Sequence, residues 1–290
     1  MTKNPTISVV TPSYNQEEYL EDAITSVINQ TGVDLEYFVF DGGSSDGSVE
    51  IIKRHSKSIS HWVSQKDRGQ SDAINQGLRA VKGEILCWIN SDDYLKAGAL
   101  EVVSNFFREN PGIDWVVGGC ELINDQENPH DIVWPPDEIT MDGLMNWWPD
   151  HWFCQQATFW RRSLMDRAGL LDESLHYLMD WEFWLRFFAI SRPAVLKHVL
   201  AGYRFHSAAK CVVANGPLTL EELMIHEKIQ SGSDGGGLAK FRNVSAKKLI
   251  ALARDAIVNR PTAKDVPGRV LVREAGRRLV RRVSKGWTRG

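Results

Sequence analysis

The sequence predicts an α/β protein: a mainly parallel, doubly wound sheet followed by a C-terminal helical extension. Three observations carry this. Short apolar runs alternate with amphipathic segments through the first ninety residues, as β-α-β-α-β-α-β, the pattern of a parallel sheet covered by helices. One run, Ile85 to Ile89, is nearly all apolar, as a strand buried on both faces must be, and it stops abruptly in Asn90, Ser91, Asp92 and Asp93. Past residue 230 the chain turns glycine-rich and then strongly basic.

Taken in order, Thr6 to Val10 reads as the first strand, stopped by Pro12. Glu17 to Asn29 follows as a helix with Tyr19, Leu20, Ala23, Ile24, Val27 and Ile28 at helical spacing. Leu35 to Phe40 is the next strand and leaves through a polar, glycine-rich stretch from Asp41 to Ser48 into a helix over Val49 to His55. His61 to Ser64 reads as a third strand, Lys66 to Gly69 as a polar loop, and Ser71 to Val81 as a helix with Ala73, Ile74, Leu78 and Val81 on one side. After the strand Ile85 to Ile89 a helix is expected from Leu95 to Phe107, then a strand over Trp115 to Cys120. Asn124 to Pro149, with four prolines, reads as irregular. Gln155 to Arg161 is an expected strand, Leu175 to Arg192 contains a helix, Val195 to Phe205 the last strand, and Leu218 to Gln230 a helix. Residues 231–237 have a flexible linker's composition. The expected division is a sheet-built unit over 1–215, itself split near residue 110, and a helical, basic extension over 216–290.

Composition excludes several classes. The 290 residues, 43% hydrophobic and 24% charged, are ordinary for a soluble protein and enough for one sizeable domain plus an appendage. Four scattered cysteines form no C-x-x-C pair, so neither a zinc site nor a disulfide framework is expected. No run approaches the ~18 apolar residues of a membrane span and no basic-then-apolar leader precedes Ile7, so a cytoplasmic location is expected. Neither early turn contains G-x-G-x-x-G, which disfavours a dinucleotide-dependent dehydrogenase.

The two carboxylates that follow Ile85 to Ile89 stand where open α/β sheets bind ligands, outside the carboxyl ends of the strands. Adjacent carboxylates there suit a divalent cation held through oxygen; the alternative is an Asx turn or cap for the following helix.

Five segments now form a series: T-P-S-Y-N at 11–15, D-G-G-S-S-D-G-S at 41–48, K-D-R-G-Q-S-D-A-I-N at 66–75, N-S-D-D at 90–93 and M-D-W-E-F-W-L-R at 179–186. In order and spacing they resemble family 2 glycosyltransferases over about residues 6–210. The resemblance implies a type-A glycosyltransferase fold, a nucleoside-diphosphate sugar donor, Mg²⁺ or Mn²⁺, and inversion at the anomeric carbon. It places the donor on Thr11, Pro12, Tyr14, Asp41, Arg68, Asp72, Ser91 and Asp92, and the metal on Asp93 and His206. Asp180 matches the position of the base. Trp152, Gln155, Gln156 and Glu182 fall on the acceptor side, Glu182 also as a lesser substitute for the base. Two departures stand out: Asn90 where many relatives carry an acid, and Met179 where an acid usually precedes the base.

Each role has a physical reason. Asp41 would accept from a base imide, which favours uracil or thymine although guanine also has a ring N–H, or it caps the turn it opens. Arg68 would reach a phosphate and Asp72 a sugar hydroxyl, or the two form a surface pair. A departing diphosphate needs its developing charge neutralised, and a displacement with inversion needs a base on the opposite face. Aromatic faces and amides such as Trp152, Gln155 and Gln156 suit a saccharide, though several of the tryptophans are equally suited to the core.

The last segment differs in charge. Residues 239–290 carry fifteen Lys+Arg against three Asp+Glu. Between Val272 and Trp287 the apolar residues fall on one third of a helical wheel with arginines on the remainder. Such a helix suits either an anionic lipid surface or the acidic face of the rest of the chain. Nucleic acid is not an expected partner, since no aromatic-rich groove accompanies the charge. The expected activity is transfer of a sugar, from a UDP-sugar by preference, to a glycan or lipid-linked saccharide during cell-surface polysaccharide synthesis. The alternatives are a sugar nucleotidyltransferase, disfavoured because Thr11 to Asn15 holds no basic residue, and a non-catalytic relative, disfavoured because Asp93 and Asp180 are both present.

Overall fold

The buried strand that ends at the Asp-Asp pair lies inside a nine-stranded mixed sheet. A computed structural model describes residues 4–124, 129–146, 153–206, 217–232 and 237–248. Trp152, most of the glycine-rich stretch and the basic segment Val272 to Trp287 lie outside the described residues.

The parallel alternation holds through the first half. β1 (Thr6–Ser13) pairs in parallel with β2 (Asp34–Asp41) and with β4 (Ile85–Trp88), and β2 pairs in parallel with β3 (His61–Ser64). Helices α1 (Leu20–Ile28), α2 (Ser48–His55) and α3 (Gln70–Ala80) connect them. In α1 the buried residues Leu20, Ala23, Ile24 and Val27 follow an i, i+3, i+4, i+7 spacing. Helix α3 approaches β1 so closely that a Cβ at Gly77 would stand 2.4 Å from the Val10 side chain.

The sheet is then completed by strands from the second half. β5 (Tyr94–Leu95) is followed by α4 (Ala99–Glu109), β6 (Trp115–Asn124), β7 (Pro129–Val133) and α5 (Met141–Met145). A 3₁₀ turn over Gln155–Ala157 leads into β8 (Thr158–Arg161), α6 (Arg162–Ala168), α7 (Met179–Ile190) and β9 (Ala194–Phe205). The strand order is β3-β2-β1-β4-β8-β6-β9-β5, with β7 on β6. β8 lies antiparallel between β4 and β6, while β6 and β9 are parallel. The boundary expected near residue 110 thus separates strands that interleave in one sheet.

Three local expectations are revised. The helix expected from Leu95 begins at Ala99, because Tyr94 and Leu95 pair with Gly202 and Ala201 of β9. The stretch expected to be irregular from Asn124 supplies β7 and α5. The strand expected from Gln155 starts at Thr158, after the 3₁₀ turn.

Tryptophans fill the joint between the halves. Trp184 stacks on Trp88 at 5.6 Å and on Trp115 at 5.9 Å, with Trp160 edge-on at 5.6 Å, and all four are at most 1% exposed. Helix α8 (Pro217–Ser231) joins the same core through Ile225 and Ile229, as do Leu238 and Phe241 after it.

Candidate active site

The carboxyl ends of β1, β2 and β4 open into one cavity of about 1070 Å³. Pro12 and Tyr14 enter from β1, Gly42 and Gly43 from β2, and Asn90 to Asp93 from β4. Phe153 to Gln156, bonded to the Asn90 to Asp93 loop, and the segment His176 to Trp181, which includes Asp180, complete the lining. Asp93 and Asp180 therefore face one cavity although 87 positions separate them in sequence.

The loops on the β1 and β2 side are built from their own polar residues. Asn15, at φ 51°, accepts from the Ser45 N–H at 2.9 Å while its own N–H donates to Ser44 Oγ at 2.8 Å. Left-handed backbone is a conformation asparagine tolerates better than most residues. Gly43 at φ 81° brings its Cα side against the Lys66 backbone, where a Cβ would lie 3.2 Å from the Lys66 nitrogen.

The Asp-Asp loop is held by amides. Asp93 is fully buried; Oδ2 accepts from Gln156 Nε2 at 2.7 Å and Asn90 Nδ2 at 3.0 Å, and Oδ1 from the Arg204 backbone N–H at 3.0 Å. Gln70 donates to Asn90 Oδ1 at 2.9 Å, and Gln155 donates to the Trp88 carbonyl at 2.7 Å. Burial pushes the Asp93 carboxyl up to about 8, with the neighbouring Asp92 charge adding to the rise. Asp92 faces the cavity and its Oδ2 lies 3.0 Å from His206 Nε2. The Arg204 guanidinium spans the back of the loop, donating to the Asp92 carbonyl at 3.0 Å and pairing with Asp22 at 3.1 Å. The Tyr19 ring packs against His206 at 4.8 Å.

These residues suit a divalent cation on one specific ground. The carboxyl of Asp93 is buried among two neutral amides and a backbone N–H, so a cation beside it would remove the charge penalty that burial imposes. Among the described residues no three His, Cys, Asp or Glu side chains cluster as a metal site. Mg²⁺-type cations are commonly held by one or two carboxylates plus substrate phosphates, so a full protein cage is not required.

The structure sorts the expected residues. Pro12, Tyr14, Ser91, Asp92, Asp93, Gln155, Gln156 and Asp180 line the cavity, and His206 stands behind Asp92. Thr11 does not line it; its hydroxyl is buried and accepts from the Tyr37 hydroxyl at 3.0 Å. Asp41 is buried at the base of its own loop, where Oδ2 accepts from the N–H groups of Gly43 and Ser44 and from Ser64 Oγ at 2.6 Å, and Oδ1 from Ser44 Oγ. Arg68 and Asp72 pair with each other at 2.8 Å, and Arg68 with Glu173 at 2.7 Å, outside the cavity wall. Gln155 and Gln156 support the Asp-Asp loop as well as facing the cavity. Glu182 is the clearest correction: it is fully buried and paired with Arg186 at 2.7 Å and Lys228 at 2.9 Å, away from the cavity. One helical position beyond Trp181, it faces α8 and not the cleft.

Sequence reasoning missed Lys66, the one lysine or arginine among the described lining residues, and the amide chain Gln70–Asn90–Gln155. Lys66 sits in the same motif as Arg68, two positions earlier. The amides carry no charge pattern that would have marked them.

The mixed sheet with helices on its faces, and a cavity at its strand ends lined by an Asp-Asp loop and a helix-borne carboxylate, are those of a type-A glycosyltransferase fold. The chain belongs to glycosyl transferase family 2, whose family model matches residues 8–191. An uncharacterized glycosyltransferase of Rickettsia typhi is 28% identical over 235 residues, covering 80% of this chain and 72% of its own. Among solved structures, S. aureus TarS residues 1–349 in complex with UDP-GlcNAc superposes with a TM-score of 0.64 at 19% identity, over 82% of this chain and 72% of that one. A mannosyltransferase from Pyrobaculum calidifontis in complex with GDP-Man and Mn²⁺ gives a TM-score of 0.59 at 16% identity, over 99% of this chain and 84% of that one. Among the described residues no helix is long and apolar enough to cross a membrane.

Proposed function

We propose that the chain is an inverting, metal-dependent glycosyltransferase that moves a sugar from a nucleoside diphosphate to a hydroxyl of a glycan or lipid-linked saccharide. The building of a cell-surface polysaccharide is the process this activity fits. The observation that carries the reading is that the Asp92–Asp93 loop and Asp180 line the same cavity.

In this mechanism Pro12 and Tyr14 border the nucleotide, and Lys66 offers a positive charge to the diphosphate. Asp92, Asp93 and His206 would hold Mg²⁺ or Mn²⁺, which supplies charge neutralisation for the leaving diphosphate. Asp180 stands in the first turn of α7, where a helix N-terminus favours negative charge, and accepts the Trp181 N–H at 2.7 Å. Its carboxylate takes the proton from the acceptor hydroxyl. The acceptor oxygen then bonds to the anomeric carbon as the bond to the diphosphate breaks on the opposite face, so the configuration inverts.

A UDP-sugar remains the first donor to test. Because the Asp41 carboxylate that would favour uracil already accepts four bonds from its own neighbourhood, the choice of base is decided by assay. With UDP-, dTDP- and GDP-sugars in parallel, Mn²⁺-dependent release of one nucleoside diphosphate is expected, falling at least ~10-fold with chelator. Release from none of the panel would sink the transferase reading, and equal release with chelator would remove the metal from it.

Peripheral attachment to the cytoplasmic face of a membrane is a separate part of the proposal and is supported by the charge of residues 239–290. The full chain should float with vesicles containing anionic lipid, and a chain lacking residues 265–290 should not. Equal failure to float rejects it.

A further inference from the structure

The cavity wall that carries Asp180 is held in place by a carboxylate from beyond the family segment. Helix α7 begins without a cap of its own: Leu178, the residue at its N-cap, makes no side-chain cap bond. The backbone N–H groups of the segment leading into it, His176 to Leu178, have no helical carbonyl to donate to, and an unmet donor at a part-buried position is a cost. Glu221 of α8 meets all three. Its Oε1 accepts from His176 N–H at 2.7 Å, and its Oε2 from Tyr177 and Leu178 N–H at 2.8 Å each. Glu221 itself is buried, at 6% exposure.

The clamp is anchored at both ends. Lys228 ties α8 to Glu182 and Asp172 at 2.9 Å each, Ile225 and Ile229 are buried in the core, and the His226 ring packs on Trp181 at 6.0 Å. From the other side Ser71 of α3 donates to the Leu175 carbonyl at 3.0 Å. The segment leading to Asp180 is therefore gripped between the sheet side and α8, while Tyr177, Leu178, Met179 and Asp180 line the cavity.

We infer that Glu221 is a positioning residue: a brace on the segment entering α7, supplied from outside residues 8–191, that sets where the Asp180 carboxylate stands in the cavity it shares with the Asp92–Asp93 loop. The inference rests on the reading of Asp180 as the base. A displacement of about 1 Å at a reacting group can cost up to ~100-fold in rate, which is the scale on which such a clamp acts.

The test uses the full chain with Glu221→Ala, Glu221→Gln and, as a control on the same helix, Glu222→Gln. In Glu221→Ala the amides of 176–178 should exchange with solvent faster. Its kcat for transfer should fall about 10- to 100-fold, with nucleoside diphosphate Kd within about twofold because the β1 and β2 loops are untouched. Glu221→Gln, which keeps one accepting oxygen, should fall between it and the wild type, and Glu222→Gln should match the wild type. Unchanged exchange at 176–178 would overturn the clamp. Faster exchange with an unchanged kcat, or a loss confined to thermal stability, would overturn the positioning role. The exchange readout does not depend on Asp180, so if Asp180→Asn retained transfer, the base assignment would fail separately from the clamp.

Discussion

Asp180→Asn should lose about 10²- to 10⁴-fold in kcat for transfer, the range that a positioned general base supplies, with nucleoside diphosphate affinity unchanged within about twofold. The substitution is isosteric, and the amide oxygen can still accept the Trp181 N–H that the carboxylate accepts at 2.7 Å. What it cannot do is take a proton from an alcohol at neutral pH. The nucleotide is proposed to bind at Pro12, Tyr14 and the Asp-Asp loop and not at Asp180, so binding measured by calorimetry should be indifferent to the change. Normal transfer by this variant would remove the base assignment, since Glu182 has no access to the cavity to replace it.

Glu182→Ala should behave in the opposite way, lowering stability by about 3–5 kcal/mol while sparing chemistry. Glu182 is the shared acceptor for Arg186 and Lys228; when it goes, Lys228 keeps Asp172 but Arg186 keeps only the Ala168 carbonyl and no carboxylate. Removing one member of a buried ion network leaves charge that burial no longer compensates, which is why the cost is ~3–5 kcal/mol and not the fraction typical of a surface pair. On a chain of this size that corresponds to a fall of roughly 6–20 °C in Tm. Assayed well below its own Tm, the variant should keep kcat within a few fold. A large loss of kcat with an unchanged Tm would reassign Glu182 to the chemistry.

The contrast between these neighbours shows what could be read from the sequence. Asp180 and Glu182 are two positions apart in a helix buried on nearly every side, so their side chains must diverge by roughly half a turn. The motif marked both, but only packing decides which faces the cavity, and the packing partner is Lys228, 46 positions later. The sheet was legible as far as β4, because parallel strands buried on both faces give continuous apolar runs. Beyond it, β7 pairs with its sequence neighbour β6 but carries a proline and charged residues that mask its pattern, while Tyr94–Leu95 is a two-residue pairing specified by partners far along the chain, Gly202 and Ala201. Local periodicity carries no trace of such partners. The same holds at the site. Asp92, Asp93 and Asp180 were marked in their motifs while Lys66 was passed over for Arg68, and the bonds that join Gln70, Asn90 and Gln155 are visible only once the loops converge. Arg68 and Asp72 were marked by the same motif and turned out to satisfy each other, with Glu173 as a third member.

The position of β8 also bears on biosynthesis. Leu86 pairs with Trp160 and Ile85 with Arg161, so the open edge of β4 waits for ~75 further residues, about 4–15 s of translation, before its partner leaves the ribosome. Throughout that interval an apolar strand with unpaired backbone groups is a template for any passing chain. Recombinant yield should therefore depend on how well the nascent polypeptide is shielded, by slower synthesis in the cold or by co-expressed chaperones, even where the finished fold is stable.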